Sequence, residues 1–402
     1  MSTSERTGST PLHHDISFSA VVAGFIAVLV GYTSSAVIIF QAADAAGATP
    51  AQTASWMIAL GLGTGVTSIG LSLRYRMPIL TAWSTPGAAL LATSLPGVAT
   101  SDAIGAFLFS ALLIMLCGIT GAFERIMQRI PHGIAAAMLA GVLLRFGLDL
   151  FSAMHTHFIM VFAMFITYLG TKRLLPRYAI IAVLAVGIAV AAAQGLLHFD
   201  TFDVSVAMPV FTMPTFSLAP LIGIGIPLFI VTMASQNAPG VAVIRASNYT
   251  PPISPLISWT GLTTFLLAPF GAYALNLAAI TAAICMGKEA HSDPNKRYTA
   301  AVAAGIFYLI AGLFGATVAA LFAAFPQALV LAIAGLALLS TIGTSLASAM
   351  ESTQHREPAL ITFLVTASGF SLWGIGAAFW GLIAGGAALM LLNKRPNTAP
   401  SR

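Results

Sequence analysis

A short apolar run bounded by Pro86 on one side and Pro96-Gly97 on the other restricts this chain more than any other feature. Longer apolar segments flank it, which places it at bilayer depth. The residues between the two prolines are too few to cross a hydrocarbon core, which takes about 20 helical residues at 1.5 Å each. The stretch beginning Thr81-Ala-Trp-Ser-Thr-Pro-Gly87 therefore predicts half a helix, started inside the membrane by Ser84, Thr85 and Pro86. Such a start leaves backbone N–H groups to be satisfied by protein, water or a ligand, and its dipole favours an anion.

The surroundings justify reading the chain as membrane-embedded. Of 402 residues 58% are apolar and 7% charged, a balance that leaves no room for a separate soluble domain. Apolar segments fall at 18–41, 52–73, 84–95, 102–123, 131–151, 156–171, 177–196, 218–236, 253–268, 274–285, 299–322, 327–348, 358–371 and 373–392. Apart from Arg145, the Lys and Arg residues fall on one side of these segments, and the opposite loops carry Asp44, Asp102, Asp200 and Asp203. By the positive-inside rule both termini are expected in the cytoplasm. The polar start of the chain does not resemble a signal peptide.

Two stretches some 200 residues apart are alike. Ser35-Ala-Val-Ile-Ile-Phe40 with Thr49-Pro50 and Ser55-Trp56 is echoed by Pro239-Gly-Val-Ala-Val-Ile244 with Thr250-Pro251 and Ser258-Trp259. Ala82-Trp83 and Ala88-Ala89 are echoed by Ala272-Tyr273 and Ala278-Ala279, and Pro131 by Pro326. The expected fold is an all-α polytopic membrane protein with 14 transmembrane segments in a 7+7 inverted repeat. The first repeat covers 18–196 and the second 218–392, with an outer linker at 197–217 and cytoplasmic tails at 1–17 and 393–402. The short third and tenth segments then enter from opposite faces and meet near the midplane, where secondary transporters place their substrate.

The candidate substrate-binding residues cluster there. Ser84, Thr85, Pro86 and Gly87 open the third segment, Asn276 lies in the tenth, and Trp83 and Tyr273 stand where they can flank a flat ligand. The eighth segment ends in Ser235-Gln236-Asn237 ahead of Pro239, and its first-copy counterpart holds Tyr32 and Ser34. Small polar residues also join helices, so packing competes with binding for these positions. No Asp or Glu lies mid-segment, which leaves a proton carrier unassigned. Arg145 and Asp149 read as a local i,i+4 ion pair, and the loop Met286–Tyr298, with Glu289 and His291, as a solvated or paired stretch. His155 and His157 have no third ligand nearby, and Cys117 and Cys285 have neither metal nor disulfide spacing. Walker loops, dinucleotide fingerprints and nucleophile–base patterns are missing, which speaks against ATP-driven transport, intramembrane catalysis and cofactors, and the net charge of +5 does not point to nucleic acid binding.

Thr81-Ala-Trp-Ser-Thr-Pro-Gly-Ala-Ala-Leu90, Thr232-Met-Ala-Ser-Gln-Asn-Ala-Pro-Gly240, Ala268-Pro-Phe-Gly271 with Asn276–Cys285, and Gly287-Lys-Glu-Ala-His291 make the chain resemble the benzoate:proton symporter family, BenE-type, along essentially its whole length. The resemblance implies import of benzoate or a similar aromatic carboxylate with protons across the bacterial inner membrane. It also implies the fold of nucleobase:cation symporters and sulfate/anion transporters, with a core domain (18–123 and 218–322), a gate domain (131–196 and 327–392) and a possible homodimer through the gate. Nucleobase symporters of this architecture carry acidic residues on the eighth and tenth segments, where this chain has Ser235, Gln236, Asn237 and Asn276. That difference suits an anionic ligand. A transporter or exchanger of another small anion or a nucleobase is the alternative on the same fold.

Overall fold

The protein is represented by a computed structural model that describes residues 15–123, 125, 132–175, 178–197, 206, 208–288, 290–370, 372 and 377–392. The first half runs α1 (Phe18–Ala45), α2 (Pro50–Tyr75), β1 (Thr81–Trp83), α3 (Thr85–Ser94), α4 (Thr100–Ile119), α5 (His132–Ser152), α6 (Phe158–Leu174) and α7 (Ala179–Ala193). The second runs α8 (Leu218–Arg245), α9 (Ile253–Leu267), β2 (Leu275–Leu277), α10 (Ile280–Met286), α11 (Tyr298–Leu313), α12 (Gln327–Met350), α13 (Arg356–Ala367) and α14 (Ala377–Leu392), with Gly315–Ala323 continuing α11 beyond Phe314. These helices follow the apolar segments in order. Among the described residues, six helices are long and apolar enough to cross a membrane, and α1 makes a seventh as a bent pair.

In both halves a three-residue strand follows the second helix and precedes a short third one. The two strands pair antiparallel, Thr81 opposite Leu277, Ala82 opposite Asn276 and Trp83 opposite Leu275. Ser84 N–H to the Ala274 carbonyl (3.1 Å) and Ala278 N–H to the Leu80 carbonyl (2.9 Å) extend the ladder at its two ends. An antiparallel pair has a two-fold axis through its middle, so α3 and α10 leave it from opposite ends, the geometry of an inverted repeat.

The strands correct the expectation for the tenth segment. A helix was expected from 274, whereas helix begins only at Ile280 and Asn276 lies in extended chain. Irregular backbone at bilayer depth is tolerated where its polar groups are satisfied by protein, and pairing with the other repeat does this. The eighth segment also differs, continuing past Asn237 to Arg245. It passes Pro227 and Pro239 by opening into π-helical turns at Leu221–Gly225 and Met233–Asn237. A wide turn tolerates the N–H that proline lacks.

Packing divides the helices. α1 lies on α3, α10 and α11, α2 on α9 and α11, and α4 on α9, while α5 lies on α12 and α13, α13 on α14, and α6 on α7. Glycine lets α2 and α11 touch backbone to backbone: a Cβ on Gly61 would stand 2.6 Å from Gly312 Cα, and one on Gly65 2.8 Å from the Gly305 carbonyl. Small residues are the usual means by which membrane helices approach this closely. The chain ahead of α8 straps the same bundle, Val210 N–H donating to Ser55 Oγ (2.8 Å) and Thr212 N–H to the Pro269 carbonyl (2.8 Å). Asp102 accepts from Thr215 Oγ1 (2.6 Å) and Ser217 Oγ (2.8 Å), fixing the strap where α8 begins. Arg145 and Asp149 form the expected pair at 3.8 Å, largely exposed and so of small energetic weight.

The start of α1 is tied down by a charge cluster with no counterpart in the sequence expectations. Asp15, 4% exposed, meets Arg76 (3.1 Å), Lys296 (3.3 Å) and the Tyr298 hydroxyl (2.7 Å), and the Arg76 guanidinium lies 4.9 Å from the centre of the Tyr298 ring. The Tyr298 hydroxyl, together with Lys296 and Arg76, holds the Asp15 carboxyl below its ordinary range despite the opposing effect of burial. A depressed carboxyl contributes stability that is complete above its unfolded value, about 3.9, and is lost as pH falls through its folded value. Asp15→Asn should therefore lower the melting temperature by a constant amount between pH 7 and about pH 5. Thermal melts of both proteins should converge below the ordinary carboxylate range.

Candidate functional site

α1 and α8 both deform where the candidate residues sit. α1 bends by 41° between Tyr32 and Ser35. α8 forms its second π-turn over Met233–Asn237. The two irregularities occupy equivalent places in the two halves, next to the strand pair, and π-bulges of this kind concentrate at functional positions.

On the α1 side, Ser35 Oγ donates to the Gly31 carbonyl (2.6 Å) across the bend and accepts the Trp83 indole N–H (2.8 Å). Trp83 stands edge-on to Tyr32, ring centres 5.0 Å apart at 90°, and to Tyr308 of α11 at 5.7 Å and 79°. The Tyr32 hydroxyl is buried and bonds no protein group. Ser34 lies in the bend, and its side chain is outside the described residues. Tyr273 belongs to a different aromatic group, with Trp56 (6.2 Å) and Phe107 (5.8 Å) on the α2 and α4 side. Trp83 and Tyr273 therefore do not share one aromatic cluster, although each precedes a half-helix.

On the α8 side, the fully buried Asn237 accepts the Leu277 backbone N–H at Oδ1 (2.9 Å), and its Nδ2 reaches Met233 Sδ (3.1 Å). Ser235 Oγ donates to the Val231 carbonyl (2.5 Å), and Gln236 is half-buried beside it. Asn276, also fully buried, donates from Nδ2 to the Ala274 carbonyl (2.9 Å). That bond fixes the amide's orientation and leaves Oδ1 as a buried acceptor without a protein partner. A buried polar atom in this condition costs free energy unless a ligand or water reaches it.

The start of α3 is built as its sequence requires, with one restriction. Ser84 Oγ caps the helix by accepting the Gly87 N–H (3.0 Å), and Pro86 supplies no N–H at all. Ala88 N–H bonds the Ser84 carbonyl (2.8 Å). Thr85, half-buried, thus contributes the first-turn amide that the cap leaves over, fewer free donors than an uncapped half-helix would offer. Gly87 is held to glycine by crowding, since a Cβ there would stand 2.8 Å from Ser84 Oγ and 2.9 Å from Leu228 of α8.

Some supporting residues escaped the sequence reading. Thr67 Oγ1 lies 2.6 Å from Thr81 Oγ1, Ser68 Oγ accepts the Thr81 N–H (3.0 Å), and Thr81 Oγ1 donates to the Thr64 carbonyl (3.0 Å). In the second half Thr264 Oγ1 accepts the Leu275 N–H (3.1 Å) and donates to the Thr260 carbonyl. The signal was available, because Thr64, Thr67 and Ser68, like Thr260 and Thr264, recur at the helical i, i+3, i+4 spacing on one face. The loop after α10 is also more ordered than its mixed charges suggested. Arg297, 8% exposed, donates to the Met286 carbonyl at the end of α10 (2.9 Å) and to the His291 carbonyl (2.9 Å), while Glu289 lies outside the described residues. Among the described residues no group of three His, Cys, Asp or Glu side chains is placed to hold a metal ion.

The comparisons with known proteins agree with this architecture. The family model described as Benzoate membrane transport protein (BenE) matches residues 14–391. The chain is 53% identical over 373 residues to the inner membrane protein YdcO of Escherichia coli (strain K12), covering 93% of this chain and 95% of that one. It is 42% identical over 383 residues to the benzoate membrane transport protein of Acinetobacter baylyi (strain ATCC 33305 / BD413 / ADP1), covering 95% and 97%. Among solved structures, the transmembrane domain of the cyanobacterial bicarbonate transporter BicA superposes with a TM-score of 0.60 at 13% identity over 92% of this chain and 97% of that one. SLC26A9 gives the same score and identity over 92% and 65%. At that identity these structures bear on the fold alone. The family match across nearly the whole chain and the close curated relatives show that this protein is a member of the benzoate membrane transport protein family.

Proposed function

We propose that the chain imports benzoate, or a closely similar aromatic carboxylate, together with protons across the bacterial inner membrane, with both termini in the cytoplasm. The observation that carries the reading is the strand crossing. It gathers aromatic rings and neutral polar groups, with no carboxylate among the site residues, next to a half-helix start. An aromatic acid needs apolar walls for its ring and donors or a positive dipole for its carboxyl group, without a like charge nearby. The Acinetobacter relative's name supports the same substrate.

In this reading the carboxyl group lies at the start of α3, near Ser84, Thr85, Pro86 and Gly87. The ring lies along Trp83 and Tyr32, and Ser235, Gln236, Asn237 and Asn276 form the facing wall. Carrying the anion inward alone costs about 2.3 kcal/mol per 100 mV, and one proton cancels that charge. The grouping of α1–α4 with α8–α11, apart from α5–α7 and α12–α14, supports movement of a core domain (18–123 and 218–322) against a gate domain (131–196 and 327–392), with the gate as the surface for a homodimer.

Uptake of labelled benzoate into proteoliposomes with an imposed pH gradient tests the proposal, with uracil, sulfate and substituted benzoates as unlabelled competitors. Accumulation should follow the inward proton gradient and be blocked by aromatic carboxylates alone. Equal accumulation with and without the gradient would overturn the coupling. Transport of a labelled competitor in place of benzoate would overturn the substrate.

A further inference from the structure

α2 and α9, the helices that anchor β1 and β2, enclose on their outer side a groove of about 600 Å³, a volume within the range of small-ligand sites. Its walls are largely apolar, among them Leu62, Val66, Trp259 and Leu266, which are 42%, 52%, 53% and 61% exposed and so open to the surrounding bilayer. Gly70 lines it, and a Cβ there would have nothing within 4 Å. Arg74 and Tyr75 line the same groove near the end of α2, the guanidinium 5.6 Å from the Tyr75 ring centre.

The groove thus joins an apolar length to a cationic end. Leu62 and Arg74 are separated along α2 by about 18 Å at 1.5 Å per residue, close to one leaflet of a hydrocarbon core about 30 Å thick. We propose that it holds an acyl chain of an anionic phospholipid from the surrounding bilayer, with the lipid phosphate on Arg74. Length selects a membrane lipid over a small acid; phosphatidylcholine offers the same phosphate, but its choline cation offsets the charge, so the guanidinium favours a headgroup of net negative charge. The site stands independently of the transported substrate. Thr67, which lines the groove, is the residue whose hydroxyl meets Thr81 of β1, so the bound chain rests against the back of the strand anchor.

Native mass spectrometry of the full-length protein, released from detergent supplemented with phosphatidylglycerol or phosphatidylcholine, tests this. Wild type should retain phosphatidylglycerol in preference to phosphatidylcholine. Arg74→Gln should lower that preference about five-fold, the effect of one cationic side chain at a membrane surface, and Arg74→Lys should keep most of it. Gly70→Leu, which fills the groove while leaving Arg74 in place, should lower retention of both lipids. Equal retention of the two lipids by wild type, or a preference for phosphatidylglycerol unchanged in Arg74→Gln, would overturn the proposal, and retention of both lipids unchanged in a folded Gly70→Leu would overturn the placing of the chain in the groove. Arg74 is exposed on the helix surface, so Arg74→Gln decides the matter even where Gly70→Leu fails to fold.

Discussion

Asn237→Ala is expected to reduce gradient-driven benzoate uptake by at least about tenfold and to lower the melting temperature by several degrees. The side chain is fully buried, and its Oδ1 is the acceptor for the Leu277 N–H of β2. Removing it leaves a buried amide without a partner, at a cost of about 1–3 kcal/mol, and about 1.4 kcal/mol is tenfold in an equilibrium. Thr264→Val separates anchoring from binding. It frees the Leu275 N–H of the same strand while touching no candidate ligand residue. If both variants lose stability alike but Asn237→Ala loses far more uptake, Asn237 meets the substrate as well as the strand. Equal losses of uptake would confine Asn237 to positioning β2.

This pair of anchors shows where sequence reasoning reached its limit. The half-helix start at Ser84-Thr85-Pro86 was legible because proline and a capping residue act locally, and the structure places the cap on the Gly87 N–H as such a start requires. The repeat was legible because equivalent residues recur in order. The strands were not. Thr81-Ala-Trp83 and Leu275-Asn-Leu277 are each too short to announce a period of two, and each is extended because the other exists some 190 residues away. Pro239 misled for a related reason, since a breaker ends a helix only when no neighbour supports a wide turn, and α8 opens over Met233–Asn237. The burial of Asp15 had no local signal at all, because its partners Arg76, Lys296 and Tyr298 are supplied by the end of α2, the turn before α11 and the first residue of α11. What is encoded within one helical turn or one cap was readable; what depends on the meeting of the two repeats was not.

Gly271→Ala should cost more stability than any other single methyl group added to the described glycines with left-handed backbone. Gly271 has φ of +98°, between α9 and β2, and a Cβ there would stand 1.8 Å from Trp56 Cδ1. Trp56 cannot yield easily, being 2% exposed and packed against Phe107 and Tyr273. Left-handed backbone costs a non-glycine residue about 1–2 kcal/mol, and overpacking a close-packed interior costs a further ~1–3 kcal/mol. Gly369→Ala is the natural control, because Gly369 has φ of +68° but nothing within 4 Å of its Cβ position, so it carries the backbone cost alone. Combining Gly271→Ala with Trp56→Ala removes the obstacle. The double variant should therefore be less unstable than the sum of the two single changes, by about the overpacking energy. Thermal melts of the four proteins in one detergent measure that coupling. If the changes simply add, Gly271 is required for its φ alone, and the Trp56 contact does not fix the path of the chain into β2.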